Sequence, residues 1–165
     1  MVWYLDIDGV LNSGPQQYGK MGYQQFLKLS SEIDEKYRNK IVEHLDNLDS
    51  RYLRALEGFM ELHNTATEIV ICSTWRKIFS CSELKYMFAL KGAFEIARKI
   101  SRCIEVEPKD LYPGLNRAEA EIVEDARLNG VEKYFILSDD VSRLTGNYFE
   151  EFADYRTQYH FNNRK

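Results

Sequence analysis

Three short apolar runs, VWYLDI at residues 2–7, EIVIC at 68–72 and KYFIL at 133–137, lead directly into hydroxyl or carboxylate side chains. Runs this short and this rich in β-branched and aromatic residues suit strands buried on both faces. The stretches between them have helical spacing. Ile33, Tyr37, Ile41, Leu45 and Leu48 recur at intervals of four, four, four and three, a single apolar stripe beginning near Ser31. Tyr52, Leu53, Leu56, Phe59, Met60 and Leu62 predict the buried side of a second helix. Another helix is predicted around Ser82–Leu90, closed by Lys91-Gly92. The best-signalled one runs from Asn116, with Glu119 completing a capping box, to Asn129-Gly130. Residues 93–112 read both ways, because AFEIARKI has helical spacing and RCIEVE alternates like a strand. The Tyr- and Phe-rich C-terminal stretch predicts a last helix or strand on the core. Strands alternating with amphipathic helices predict an α/β fold with a mainly parallel sheet.

At 165 residues, with 44% hydrophobic and 29% charged residues, the chain reads as one globular domain with a real core. A net charge of −4 argues against a broad nucleic-acid groove and leaves room only for a local basic patch. Asp6 and Asp8 interrupt the apolar stretch after Met1, so it does not read as a signal peptide. No apolar run reaches the ~20 residues that span a bilayer, so no membrane partner is expected. Cys72, Cys81 and Cys103 form no CxxC pair and no Cys/His cluster. They read as reduced thiols of a cytoplasmic protein, and a zinc site is not expected.

In parallel α/β sheets ligands collect at the carboxyl ends of the strands. Here those ends carry Asp6 and Asp8, then Ser73 and Thr74, then Asp139 and Asp140. If they converge, Asp6, Asp8 and Asp139 offer hard oxygen ligands suited to Mg²⁺. A cation removes the like-charge penalty and leaves a carboxylate free as nucleophile. Ser73 and Thr74 would donate hydrogen bonds to phosphoryl oxygens, and a cationic side chain would balance the transferring charge. Arg117 is the better candidate, since a cation in the first turn of a helix opposes the macrodipole and has little local structural reason. Lys109, on the loop before it, is the alternative. Blander readings exist for each: solvated turn aspartates, a Ser-Thr helix cap, Asp139-Asp140 capping a helix near Val141, and a surface arginine.

The motifs resemble those of the haloacid dehalogenase-like (HAD) superfamily of phosphatases and phosphotransferases. Asp6-Ile7-Asp8-Gly9-Val10 is similar to its first motif, DxDG[TV], placed after an apolar strand near the N-terminus. Ser73 after EIVIC matches the second, Arg117 the third, and Asp139-Asp140 after KYFIL the fourth. The fourth departs from the frequent pattern in having Ser138 where a glycine often stands. DIDGVLN together with STWR is similar to a group of small HAD-domain proteins, some associated with phages or RNA-repair systems.

The resemblance implies a Rossmann-like core with a small helical cap inserted at about residues 12–49. It also implies an aspartyl-phosphate mechanism. Asp6 is then the nucleophile and Asp8 the acid and base. Mg²⁺ is held by the Asp6 carboxylate, the Asp8 carbonyl and Asp139, with Asp140 nearby. Trp75 offers a stacking face and Arg76 a fork for phosphate, although Trp75 reads equally well as a packing residue. Thr74 and Lys109 complete the expected substrate contacts. Tyr18, Lys20, Tyr23 and Lys28 are weaker candidates in the cap. The expected substrate is a nucleotide, a nucleic-acid terminus or another small phosphorylated molecule such as a sugar phosphate. The alternative is a regulatory module that keeps the fold without turnover.

Overall fold

Four short strands pair in parallel: β1 (Val2–Leu5), β2 (Glu68–Ile71), β3 (Ile100–Cys103) and β4 (Tyr134–Leu137), in the order β3-β2-β1-β4. The computed structural model describes residues 1–12, 41, 44–63, 68–108 and 112–162. Leu5 lies opposite both Ile71 and Leu137. The ladder runs one step further, with the Asp6 N–H donating to the Leu137 carbonyl (2.9 Å) and the Cys72 N–H to that of Leu5 (3.0 Å). Asp6, Cys72 and Ser138 therefore stand side by side at the carboxyl edge. The chain passes from β1 to β2 and β3 on one side and returns to β4 on the other. The order reverses between β1 and β4, the place where such sheets open a crevice.

Each strand alternates its side chains between two faces. Trp3, Leu5, Ile69, Ile71 and Leu137 enter the larger core, with residues of α1 (Ser50–His63), α2 (Cys81–Leu90) and α5 (Phe149–Asn162). Tyr4, Val70 and Ile136 face the opposite way, onto Ile122 and Ala126 of α4 (Arg117–Leu128). A mainly parallel α/β fold is thus observed. Residues 93–112 resolve into both expected elements: α3 (Phe94–Lys99) runs directly into β3. Of RCIEVE the strand takes only Arg102 and Cys103, and residues 104–108 follow without regular structure.

Three further expectations meet the structure. Leu62, expected on the buried side of its helix, is 71% exposed, because it sits about 200° round the helix from buried Met60. No helix begins near Val141; residues 141–148 form bends and a turn before α5, and Asn147 pins them. Its amide donates to the Ser138 and Val141 carbonyls, each at 2.8 Å, and its oxygen accepts from the Phe149 N–H at 3.1 Å. Of the stripe from Ser31, Ile41, Leu45 and Leu48 are buried in the larger core, while Ile33 and Tyr37 lie outside the described residues. So does most of the expected cap at 12–49, including Tyr18, Lys20, Tyr23 and Lys28. All three cysteines are free, and no helix among the described residues is long and apolar enough to cross a membrane.

One polar cluster stitches the second face. Asp125 of α4, 1% exposed, accepts the Tyr4 hydroxyl at 2.7 Å and both arms of Arg102 from β3 at 2.6 and 2.7 Å. Burial first, then the neighbouring carboxylate, push the Tyr4 hydroxyl well above its ordinary pKa, so it stays a donor. Asp125→Ala leaves the Tyr4 hydroxyl without its acceptor and the partly buried Arg102 with only Glu68, at 3.9 Å. The expected loss is about 3 kcal/mol, read as a melting temperature roughly 6–12 °C lower.

Candidate active site

Asp6 leaves β1 nearly buried, at 9% exposure. Its Oδ1 accepts the Ile7 N–H at 2.8 Å and its Oδ2 the Ser138 hydroxyl at 3.0 Å. Ser138 in turn accepts the Asp140 N–H at 3.2 Å. The hydroxyl at the position where glycine is frequent is thus a bridge between the first and fourth motifs. Burial raises the Asp6 pKa from 3.8 to about 6; the two hydrogen bonds oppose the rise, and the charges of Asp139 and Asp140 add to it. Asp139 is also raised, by burial, then by Asp140 and Asp8.

The carboxylates of Asp6, Asp139 and Asp140 offer oxygens that all lie within 4.8 Å of one another. Among the described residues no cationic side chain is paired with them. Crowded acids without a counter-charge, at the crevice of a parallel sheet, have the donor chemistry of a hard divalent cation. Gly9 makes room for them. At φ +77° it holds a conformation that L side chains rarely adopt, and a Cβ there would lie 1.9 Å from Asp139 Oδ2. The Asp8 side chain is not part of this group. Its Oδ1 accepts the Asn12 amide at 2.8 Å and the Trp75 indole N–H at 3.0 Å.

A cavity of about 240 Å³ opens over these groups, lined by Asp6, Asp8, Thr74, Arg76, Arg117 and Asp140, among others. Larger hollows, including one of about 480 Å³ between α1 and α5, hold no such acid cluster among the described residues. Arg117 opens α4 as expected and is 61% exposed, with its guanidinium on Glu121 (3.1 Å) and Glu107 (3.3 Å). Arg76 presents no open fork. Its guanidinium donates to the Cys72 and Ser73 carbonyls and binds the other oxygen of Glu121 at 2.6 Å. Glu121 is thereby shared between two arginines. Lys109 lies outside the described residues.

Ser73 is 1% exposed and caps the short 3₁₀ turn Thr74–Lys77, accepting the Trp75 N–H at 3.3 Å. Trp75 presents no open stacking face, being 4% exposed and packed edge-on to His44 at 5.0 Å. Lys77, absent from the sequence reading, lines the cavity and has no ion-pair partner among the described residues. The signal was the turn itself: with three residues per turn, positions 74 and 77 share a side. The start of α4 is tied to the acidic loop. Asn116 donates to the Asp140 carbonyl at 2.6 Å, and buried Glu119 accepts the N–H groups of Asn116, Ser142 and Arg143 at 2.7–2.8 Å. Burial alone would raise the Glu119 pKa, but these N–H groups outweigh it and hold it below the ordinary value.

A parallel sheet whose order reverses beside an aspartate pair, with further acids on the neighbouring strand end, is the arrangement that the HAD resemblance implies. Over residues 2–158 the chain matches the model of a family described as the HAD domain in Swiss Army Knife RNA repair proteins, and it belongs to that family. No curated protein and no solved structure matches it. Family membership supports a HAD-type phosphohydrolase.

Two outcomes follow for the purified protein. The folded-state pKa of Asp6 lies above its ordinary value, so its stability contribution is full below about pH 4 and lost as the pH rises through about 6. In EDTA, the melting temperature of the wild type relative to Asp6→Asn should therefore fall across that window; a flat difference contradicts the assignment. Magnesium at about a hundred times its Kd should stabilise the wild type by about 2.7 kcal/mol. Gly9→Ala should cost about 1–2 kcal/mol from backbone strain and shrink the magnesium-induced shift, both measured by thermal melts.

Proposed function

We propose that the chain is a Mg²⁺-dependent phosphomonoesterase working through an aspartyl-phosphate on Asp6, with a nucleic-acid terminal phosphate or a nucleotide as substrate. The observation that carries the reading is the pairing of Asp6 on the cavity floor with exposed Asp8 at the same opening. Two carboxylates of unequal burial suit two roles, a nucleophile and a proton-transfer group. The family's association with RNA repair supports a nucleic-acid end over a sugar phosphate.

In this reading Asp6 attacks phosphorus, the bond from phosphorus to the leaving oxygen breaks, and Asp8 delivers its proton to that oxygen. Asp8 then takes a proton from the water that attacks the aspartyl-phosphate, and inorganic phosphate and free Asp6 result. Asp6, Asp139 and Asp140 would hold the cation, with the Asp8 carbonyl as the further ligand that the family resemblance implies. When bound it neutralises the carboxylates and the incoming phosphate. Ser138 fixes the Asp6 oxygen it bonds and leaves the carboxylate oriented. Thr74, Lys77 and Arg117 face the phosphoryl oxygens, Arg117 filling the role for which Lys109 is the alternative. Arg76 acts from beneath, holding Glu121 and the Ser73 carbonyl in place.

The deciding experiment is a panel of 3′- and 5′-phosphorylated oligonucleotides, mononucleotides and sugar phosphates, with Mg²⁺ or EDTA. Turnover should require Mg²⁺ and favour the nucleic-acid ends, and Asp6→Asn should abolish it while remaining folded. Wild-type turnover by Asp6→Asn refutes the nucleophile. A regulatory module would instead give no turnover with any substrate.

A further inference from the structure

Asp8 is exposed, and a free carboxylate at such a position rotates between orientations of similar energy. Here it is held. Two N–H donors from different parts of the chain converge on one oxygen, Oδ1: the Asn12 amide at 2.8 Å and the Trp75 indole at 3.0 Å. Oδ2 has no hydrogen-bond partner among the described residues. Both donors are themselves fixed. The Asn12 oxygen accepts the Gly9 N–H at 3.1 Å, which sets its amide so that the NH₂ group faces Asp8. The indole nitrogen is a donor only, so the direction of its bond is unambiguous. Its ring is buried against His44 and Phe79, and its main-chain N–H is anchored on Ser73 Oγ.

We propose that Trp75 and Asn12 are positioning residues for proton transfer, holding Asp8 by Oδ1 so that Oδ2 is the atom that exchanges the proton. The inference rests on the proposed role of Asp8. As the bond between phosphorus and the leaving oxygen breaks, the proton on Oδ2 moves to that oxygen and the O–H electron pair stays on Asp8. The two N–H groups stabilise the carboxylate that forms. In the second step the same oxygen takes a proton from the attacking water, and the acid is restored. Trp75, expected to stack on substrate, thus acts on the reaction without touching it. Ser73 reaches the proton-transfer group through Trp75.

The test uses leaving groups that differ in their need for a proton. For wild type, Asp8→Asn, Trp75→Phe and Asn12→Ala, kcat/KM is measured with Mg²⁺ on aryl and alkyl phosphates, from 4-nitrophenyl to phenyl to a simple alkyl ester. Each logarithm is plotted against leaving-group pKa. General-acid assistance gives the wild type a shallow slope, and Asp8→Asn should be steep. Trp75→Phe keeps an aromatic ring at the site, though a smaller one that packs less fully, and lacks the N–H. It should lose about tenfold more on phenyl than on 4-nitrophenyl phosphate, the scale of one hydrogen bond to a charged group. Asn12→Ala, on the more open side, should steepen the slope in the same sense and serves if the tryptophan variant fails to fold. An equal loss on all substrates by both variants, the mark of a merely structural role, overturns the proposal. So does a wild-type slope in both. If Asp8→Asn itself keeps the wild-type slope, the acid role of Asp8 fails, and the positioning role fails with it.

Discussion

The in-register parallel pairing of β1 with β4 decides where the clustered acids of the site lie. Because Leu5 and Leu137 are opposite one another, the next residues of both strands, Asp6 and Ser138, emerge side by side. From that one register follow the bond between Ser138 and Asp6, the approach of Asp139 and Asp140, and the need for a glycine at position 9. A slip of one residue would turn Asp6 to the opposite face and disperse the cluster. The apolar residues that fix the register, Trp3, Leu5, Ile71 and Leu137, lie in the core and do not line the cavity, yet they hold an arrangement of like charges that no local preference would choose.

The second layer of order comes from hydrogen-bonding side chains at helix starts and turns. Asn116 and Glu119 satisfy the first turn of α4 and at the same time hold the acidic loop. Ser73 caps the 3₁₀ turn and seats Trp75. For Ser73, the bond to the Trp75 N–H is the one that its reading as a cap describes. A capping residue at the edge of a sheet fixes where the next side chain points.

Three of the four strands were legible because short, β-rich, apolar runs have few other uses, while β3, within a stretch that read both ways, was not; the capping-box helix was legible because its start and stop are local chemistry. The acid cluster followed from placing three strand ends together. What the sequence did not reveal depends on direction. Trp75 and Arg76 lie next to a motif and carry the right chemistry, but one is buried on His44 and the other is bound to Glu121. Lys77 became visible only once the segment was known to be a three-residue turn rather than an α-helix or loop. Glu121 is buried between Arg117, one helical turn before it, and Arg76, 45 residues away, a meeting that only the fold brings about. Asn147 was invisible because a loop residue has no periodicity to betray it.

Glu119 joins three N–H groups from two segments through one buried side chain, so neither segment can open alone. The start of α4, with its arginine, and the loop after β4, with its acids, form one cooperative unit in local unfolding. On that account the amides of Asn116, Ser142 and Arg143 should exchange together in one opening event. A fluctuation that frees Arg117 at the start of α4 frees the loop of Asp139 and Asp140 as well, while Asp6 stays anchored at the end of β1.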